Sequence, residues 1–514
     1  MEIWFFVLVT LCVATLLKSI FNFFTSSSSD VSKKKKKPLP PGPTAVPIIG
    51  RFTWLGMSLT KMEPYLKSLK LKYGPIITLH ITSRPSIFIA SHSLAHKALV
   101  EKGAVFSDRP GIAPISRITS SNRRSINTAS YGQTWRLLRR NMASEMFHPS
   151  RIKSFSTARK WVLEILLDRF RERSSHGAAV PVLEDFRYAM FCLLVLMCFG
   201  DKLGEDQIKK IEKVERAMIV DFTRFGILNL WPRIGKIVFR KRWEELIRLR
   251  QNQEDVLIPL IRARREKLMR EGNTDAAATV AYVDTLFDLE WPEEKRKLTD
   301  SEIVTLCNEF LNAGTDTTST ALQWIMANLV KYPVIQTKLY QEISSNSEKE
   351  REIREEDLRG MNYLKAVVLE GLRLHPPGHF ILPHKVTEDV ELEGYLVPKE
   401  GTVNVLVAEL GRDPTVWVEA LEFKPERFIE ESGELIDVDI TGSREIKMMP
   451  FGAGRRICPG MNLALIHLEY FVANLIKNFE WEAADEKDID MSEKQEFTTV
   501  MNTPLQAKLT PRAS

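Results

Sequence analysis

Near the C-terminus, Phe451-Gly452-Ala453-Gly454-Arg455-Arg456-Ile457-Cys458-Pro459-Gly460 sets one cysteine among three glycines, and a helix-compatible run from Met461 to Lys477 follows. Glycines let a loop take positive φ and bring backbone N–H groups up to a sulfur. A helix N-terminus directly behind the loop stabilises negative charge there. The combination favours a thiolate. A lone thiolate without companion ligands suits the axial position of a haem iron, where its electron donation favours O–O cleavage. A buried cysteine is more often structural; here the surrounding residues argue for chemistry.

Three further groupings have types and spacings that matter. Glu370 and Arg373 lie three apart within Leu364 to Leu374 and share a helix face, although such a pair by itself reads as a surface salt bridge worth little. Thr299 and Glu302 form a capping-box pattern that opens a helix running to Lys331, ahead of Pro333. Its middle, Asn312-Ala313-Gly314-Thr315-Asp316-Thr317-Thr318-Ser319-Thr320, is a polar interruption built from poor helix formers. Either function requires it there, or the hydroxyls simply bond back to helix carbonyls. Trp135 and Arg139 stand one helical turn apart, which fits surface packing or a shared ligand.

The elements that must position these residues are mostly helices. Amphipathic segments run near 134–147, 158–173, 183–199, 242–269 and 300–331, and strand-like stretches occupy Ile76 to Ile81, Ser86 to Ala90, 390–396, 402–407 and 497–509. The expected fold is mainly α with small β-sheets. No repeat and no Gly/Ser linker divides the chain after Thr44, so residues 44–514 read as one catalytic domain. The apolar run Phe222, Phe225, Ile227, Leu228, Leu230 and Trp231 lies between basic segments and fits either a membrane-interface contact or ordinary core packing.

Residues 1–24 read as a transmembrane anchor, since Ile3 to Phe24 is largely apolar and about 22 helical residues span roughly 33 Å. The positive charges follow the apolar run and no clear A-x-A site comes after it, which argues against a cleaved signal peptide. Residues 25–43 hold Lys33 to Lys37, then Pro38-Leu39-Pro40-Pro41-Gly42-Pro43. The lysines place the following body in the cytosol. The prolines form a stiff hinge that either aims the body or merely links it.

With 72 basic against 66 acidic residues and a net charge of +6, nothing favours nucleic acid as a partner. The 5 cysteines are scattered and show no CxxC spacing, so neither a zinc site nor a disulfide framework is expected.

Taken together these motifs resemble the cytochrome P-450 superfamily of haem-thiolate monooxygenases, whose pattern F-x-x-G-x-R-x-C-x-G is matched at Phe451, Gly454, Arg456, Cys458 and Gly460. The resemblance implies Cys458 as ligand to the iron of haem b and Arg456 as a propionate partner. Trp135 and Arg139 match W-x-x-x-R, implying two more propionate contacts, and His384 in Leu382-Pro383-His384 resembles another. Ala313 to Thr318 matches A-G-x-D-T-T, implying Asp316 and Thr317 as the acid–alcohol pair that supplies protons during dioxygen activation. Glu370 and Arg373 match E-x-x-R, and Pro425-Glu426-Arg427-Phe428 matches P-E-R-F, implying a Glu370–Arg373–Arg427 network beneath the cysteine loop. One departure is Ala420, where related sequences carry proline; a slightly looser turn is expected there.

The anchor, the proline hinge and the Trp135–Met142 wording look most like plant microsomal A-type members, near family eighty-nine, subfamily A. That implies the cytochrome P-450 fold plus one N-terminal transmembrane helix, a single-pass endoplasmic reticulum location, and electrons from NADPH through a separate NADPH–cytochrome P-450 reductase. Arg136, Arg140, Lys447 and Arg455, which neighbour the cysteine face, then suit either an acidic electron donor or plain solubility. The implied reaction inserts one atom of O2 into a small, largely apolar plant metabolite. A haem-thiolate isomerase or dehydratase and a non-catalytic haem-binding membrane protein are the alternatives; the intact Asp316–Thr317 pair argues against both. Pocket-lining segments implied by the resemblance are Pro114–Asn122, Phe310, His379–Leu382 and Val500–Asn502.

Overall fold

The structure, a computed structural model, describes residues 37–43, 59–81, 84–111, 114–174, 179–220, 225–230, 235–271, 280–348, 351–484 and 489–512, with Thr10 and Thr15. The anchor expected over residues 1–24 and the lysine run before Lys37 lie outside these, apart from those two threonines. Among the described residues no helix is long and apolar enough to cross a membrane. The proline segment docks on the body: Thr78 N–H donates to Pro41 O at 2.8 Å and Leu396 N–H to Pro38 O at 2.8 Å.

The main helices are α1 (Leu59–Tyr73), α2 (Gln133–Glu145), α3 (Ser156–Ser174), α4 (Leu183–Phe199), α5 (Glu205–Val220), α6 (Arg240–Glu271), α7 (Asp300–Lys331), α8 (Pro333–Ser345), α9 (Asn362–Leu374) and α10 (Met461–Asn478). At the start of α7, Thr299 Oγ1 accepts from Glu302 N–H at 3.3 Å while Thr299 N–H donates to Glu302 Oε2 at 2.8 Å, the reciprocal capping box the sequence predicts. Helix α4 carries Glu184 and Asp185 in its first turn and ends at Gly200, whose φ of 80° needs a residue without a Cβ. It is apolar almost all round and buried accordingly. Helices α4, α7, α9 and α10 together form most of the core.

The polar middle of α7 does not break the helix. Thr315, Thr317 and Ser319 donate their hydroxyls to the carbonyls of Leu311, Ala313 and Thr315 at 2.7, 2.6 and 2.8 Å, which satisfies the side chains inside the helix. At Gly314 an added Cβ would lie 2.7 Å from Leu194 Cδ1, so the glycine is what lets α4 approach α7 so closely.

The two largest of the small sheets, of four and three strands, flank the helices. In the first, β1 (Ile76–Leu79) pairs antiparallel with β2 (Ser86–Ile89), Ile76 opposite Ile89. Strand β2 runs parallel to β4 (Thr402–Val405), which pairs antiparallel with β3 (His384–Lys385), His384 opposite Val403. In the second, β5 (Phe479–Ala483) pairs antiparallel with β6 (Gln506–Pro511), and Val180–Pro181 extends it. Phe225 and Leu228 pack with Ile115, Met218 and Leu246 in a satellite core, so these two members of the apolar run after α5 are core residues.

Candidate functional site

The cysteine loop takes its shape from its glycines. Gly452 and Gly454 have φ of 73° and 69°, values that L side chains rarely adopt. A Cβ on Gly454 would also strike Leu99 O, so this loop closes against the preceding Lys97–Glu101 π-helical turn only with glycine there. Cys458 N–H donates to Phe451 O at 2.8 Å, which closes the loop into a ring, and Ala464 N–H donates to Gly460 O at 2.8 Å as α10 begins. Cys458 is half-buried beside a cavity of about 390 Å³, lined also by Val100, Arg139, Gly454, Ile457 and Met461. Burial raises its thiol above the ordinary value, against the pull of the Gly460 backbone N–H and of Arg139. Loop and helix terminus alone thus do not make the thiolate; a coordinating metal ion deprotonates a thiol outright.

Around the loop sits a rim of desolvated cations. Arg456 donates to the carbonyls of Ser107, Ile126 and Ala129 at 2.8, 3.0 and 2.7 Å. Arg139 donates to Ile457 O at 2.7 Å, which ties α2 to the cysteine loop. Arg109 donates to the carbonyls of Asn127, Leu382 and Pro383 at 2.7, 2.9 and 3.0 Å. Burial, with Arg109 next, lowers the Arg456 guanidinium to about 9, and burial lowers Arg109 to about 10. The Trp135 indole N–H is buried with no partner among the described residues, and its ring lies 4.7 Å from the Arg456 guanidinium carbon. His384 Nδ1 meets Phe106 O at 2.6 Å; a carbonyl only accepts, so Nδ1 carries the proton and Nε2 a lone pair. Burial, reinforced by Arg109 and Arg456, lowers His384 to about 3 and keeps it neutral.

This rim fits haem b. An orphaned buried indole donor and three crowded guanidiniums supply donors and positive charge that two propionates would satisfy, next to a single cysteine sulfur. Trp135, Arg139, Arg456 and His384 are thereby brought together, and Arg109 joins them. Sequence reasoning missed Arg109, although Ser107-Asp108-Arg109-Pro110 offered a cation just before a helix-disfavouring proline.

On α7, Ala313 is exposed and Thr317 half-buried within a helix otherwise mostly buried from Glu302 to Val330. Asp316 points elsewhere: Arg187 Nε of α4 lies 3.3 Å from Asp316 Oδ1 and Arg216 Nη1 of α5 lies 4.0 Å away. Burial raises the Asp316 carboxyl, and the two arginines hold it back. Arg187 reaches on to exposed Glu184 at 2.7 Å and Glu496 at 4.0 Å.

Beneath the loop, Glu370 and Arg373 are both fully buried and paired in bidentate fashion at 2.6 and 2.8 Å. Arg427 Nε reaches Glu370 Oε1 at 3.0 Å. Arg373 also donates to the carbonyls of Gly411, Ala420 and Glu422 at 2.5, 2.8 and 3.1 Å. The Ala420 turn is therefore held at its carbonyl by Arg373. Trp417 packs on both guanidiniums, 5.3 Å from Arg373 and 6.0 Å from Arg427, and donates to Lys447 O at 3.3 Å, which connects the network to the approach of the cysteine loop. Arg136, Arg140, Lys447 and Arg455 are exposed.

Of the segments expected to line a pocket, Phe310 is instead stacked in the core between Tyr282 (4.9 Å) and Phe147 (6.3 Å). His379 is buried against Glu63 at 2.6 Å, Leu382 is exposed, and Val500 and Met501 are buried while Asn502 is exposed.

Comparison with known proteins agrees with this geometry. The family model described as Cytochrome P450 matches residues 40–511. Cytochrome P450 89A9 of Arabidopsis thaliana is 48% identical over 99% of this chain and 98% of its own length. Geraniol 8-hydroxylase of Catharanthus roseus is 30% identical, with 98% of each chain covered. In fold, a zebrafish cytochrome P450 structure with progesterone aligns at a TM-score of 0.73 and 21% identity, covering 87% of this chain and 99% of that one. Matched nearly end to end by the family model and by relatives of this kind, the chain belongs to the cytochrome P450 family of haem b monooxygenases.

Proposed function

We propose that this chain is a membrane-anchored monooxygenase that inserts one oxygen atom into a small, largely apolar plant metabolite. It takes electrons from NADPH through a separate NADPH–cytochrome P450 reductase. The observation that carries the reading is Cys458, one sulfur held in a left-handed glycine loop beside desolvated arginines and an unpartnered indole. Haem b, bound through that sulfur, supplies the iron chemistry that activates dioxygen. Trp135, Arg139 and Arg456 would hold its propionates, with Arg109 beside them. His384, neutral with Nδ1 on Phe106 O, would donate through Nε2 to a propionate only if it gained a proton.

Thr317 holds a proton-bearing hydroxyl on the open strip of α7, parked on Ala313 O at 2.6 Å. Rotation about its χ1 would free that hydroxyl from the helix carbonyl. Asp316, held by Arg187 near the exposed Glu184, takes protons from solvent water and passes them inward. The Glu370–Arg373–Arg427 network fixes the loop that carries Cys458. Arg136, Arg140, Lys447 and Arg455 form the cationic face for an acidic electron donor.

The location follows from the sequence: an apolar span over 1–24, lysines and prolines over 25–43, and a cytosolic catalytic domain over 44–514 at the endoplasmic reticulum. Plant relatives support the reaction type; one carries the name geraniol 8-hydroxylase and another isoflavone 2'-hydroxylase. The test is to incubate microsomes holding this chain and a reductase with plant metabolite extract, NADPH and isotopically labelled dioxygen. A product carrying one labelled oxygen atom only when NADPH is present is expected. An unlabelled product formed without NADPH would overturn the reading in favour of an isomerase or dehydratase.

A further inference from the structure

Three side chains of α7 that the proton route does not use reach one stretch of chain ahead of α2. Thr305 and Glu309 follow Glu302 by three and seven residues, so the three share a face of the helix. Glu302 pairs with Arg124, and Thr305 Oγ1 meets Ser121 Oγ at 2.6 Å. Glu309 holds the next residues: Ile126 N–H donates to its Oε2 at 2.8 Å and Asn127 N–H to its Oε1 at 2.7 Å. Both carboxylate oxygens are thus spent on consecutive backbone donors of the turn at 125–129, which Ala129 N–H closes on Ser125 O at 2.9 Å.

The carbonyls of that same turn accept from the rim arginines. Ile126 O and Ala129 O take Arg456 at 3.0 and 2.7 Å, Asn127 O takes Arg109 at 2.7 Å, and Thr128 O takes Arg123 at 2.8 Å. Arg123 reaches on to Arg109 O at 3.1 Å. A guanidinium is a rigid planar fork, so the place of these carbonyls decides the place of its plane and charge. The chain enters the turn through Ser121, Asn122 and Arg123, whose φ values are 44°, 59° and 70°. Three successive residues with a Cβ in the left-handed region are costly, and such backbone persists where its surroundings over-determine it. Local preference therefore does not place this turn; its contacts with α7 do.

We propose that Glu309 is a positioning residue for the haem: by holding the N–H groups of Ile126 and Asn127 it sets the carbonyls that fix the Arg456 and Arg109 guanidiniums at the propionate rim. The inference rests on the haem-thiolate reading above and adds to it a residue that acts through the turn.

The test follows transfer of haem from the purified haem-loaded protein to a scavenging apoprotein, in Glu309→Leu, in Arg456→Lys and in the two combined. The reduced CO spectrum of each reports that thiolate-ligated haem is present at the start. Glu309→Leu removes two charge-assisted bonds and should quicken transfer about tenfold. Arg456→Lys keeps the charge, loses the fork and should quicken transfer on its own. In that background Glu309→Leu should add less than about threefold, because a group it positions is already lost. Glu309→Gln keeps the shape and one acceptor; its effect should lie between, and it carries the same comparison should Glu309→Leu fail to load haem. A role in stability alone would lower the unfolding temperature and speed transfer by equal factors in both backgrounds. That result, or an unchanged transfer rate in Glu309→Leu, would overturn the proposal. Absence of the thiolate-type CO band from the unaltered protein would instead overturn the haem-thiolate reading, so the two failures are separable.

Discussion

The indole of Trp135 and the guanidinium of Arg456 stack 4.7 Å apart, one carried by α2 and the other by the cysteine loop, and the buried indole N–H has no partner among the described residues. A buried donor left unmade costs about 1–3 kcal/mol, and a haem propionate would accept it. Trp135→Phe keeps the ring and removes the donor. Transfer of haem to a scavenging apoprotein should then quicken by about tenfold, with the thiolate-type CO spectrum kept; an unchanged transfer rate would mean that this N–H does not hold the cofactor.

Glu370 and Arg373 are both fully buried, so removing one leaves the other charged and unpaired. Breaking such a pair costs about 3–5 kcal/mol. Arg373→Ala additionally frees the carbonyls of Gly411, Ala420 and Glu422. Little haem-loaded protein should accumulate. Arg427→Ala, at the more exposed end of the network, should be milder, and equal yields of CO-reactive protein from both variants would argue against this ranking.

Much of this was legible because it is local. The Thr299–Glu302 capping box and Pro333 bracket α7 at Asp300–Lys331, as the sequence predicts. The glycines around Cys458 foretell a loop with positive φ. What the sequence does not show are pairings across long separations: Arg187 with Asp316, Gln253 with Glu215, Arg109 with Leu382 O. The placement of Phe310 was misjudged for a related reason. Which side of a mostly apolar helix faces open space depends on the neighbours packed against it, and here Tyr282 and Phe147 cover Phe310 while Ala313 is left exposed.

Stability should fall as the solution is acidified below neutrality. His375 stacks on Trp324 at 4.0 Å and lies 3.1 Å from Glu493. Burial lowers its pKa from 6.5 to about 4, outweighing the carboxylate beside it. The folded protein therefore resists protonation that the unfolded chain accepts. The contribution is fully present above pH 6.5 and is lost as pH falls toward 4, to a total of about 3 kcal/mol. His375→Phe keeps the stack and removes the titration. Thermal unfolding from pH 7.5 down to 4 should show a shallower loss in the variant; parallel curves would contradict this.

Thr317→Ala should bind haem normally yet divert NADPH electrons to hydrogen peroxide. Asp316→Asn keeps the shape beside Arg187 and should slow turnover with less diversion. Positioned acid–base groups give about 10²–10⁴-fold in rate, and water that takes over either role shrinks the effect. The ratio of product to peroxide per NADPH oxidised checks the assignment once a substrate is in hand. Unchanged coupling in Thr317→Ala would remove this stretch of α7 from the proton route.

Protease added to sealed microsomes should degrade the body at its exposed loops, because the lysine run follows the apolar span. A protected body would reverse the proposed topology.

The central claim is that Cys458 is the one sulfur that binds the haem iron, and the reduced, CO-treated spectrum of Cys458→Ala tests it most directly. Cys192, Cys198 and Cys307 are buried on α4 and α7 and free of disulfides, and none lies in a glycine loop ahead of a helix. The unaltered protein should show the thiolate-type Soret band of the CO complex, and Cys458→Ala should lack it entirely. A thiolate-type band of normal intensity in Cys458→Ala would show that the ligand lies elsewhere.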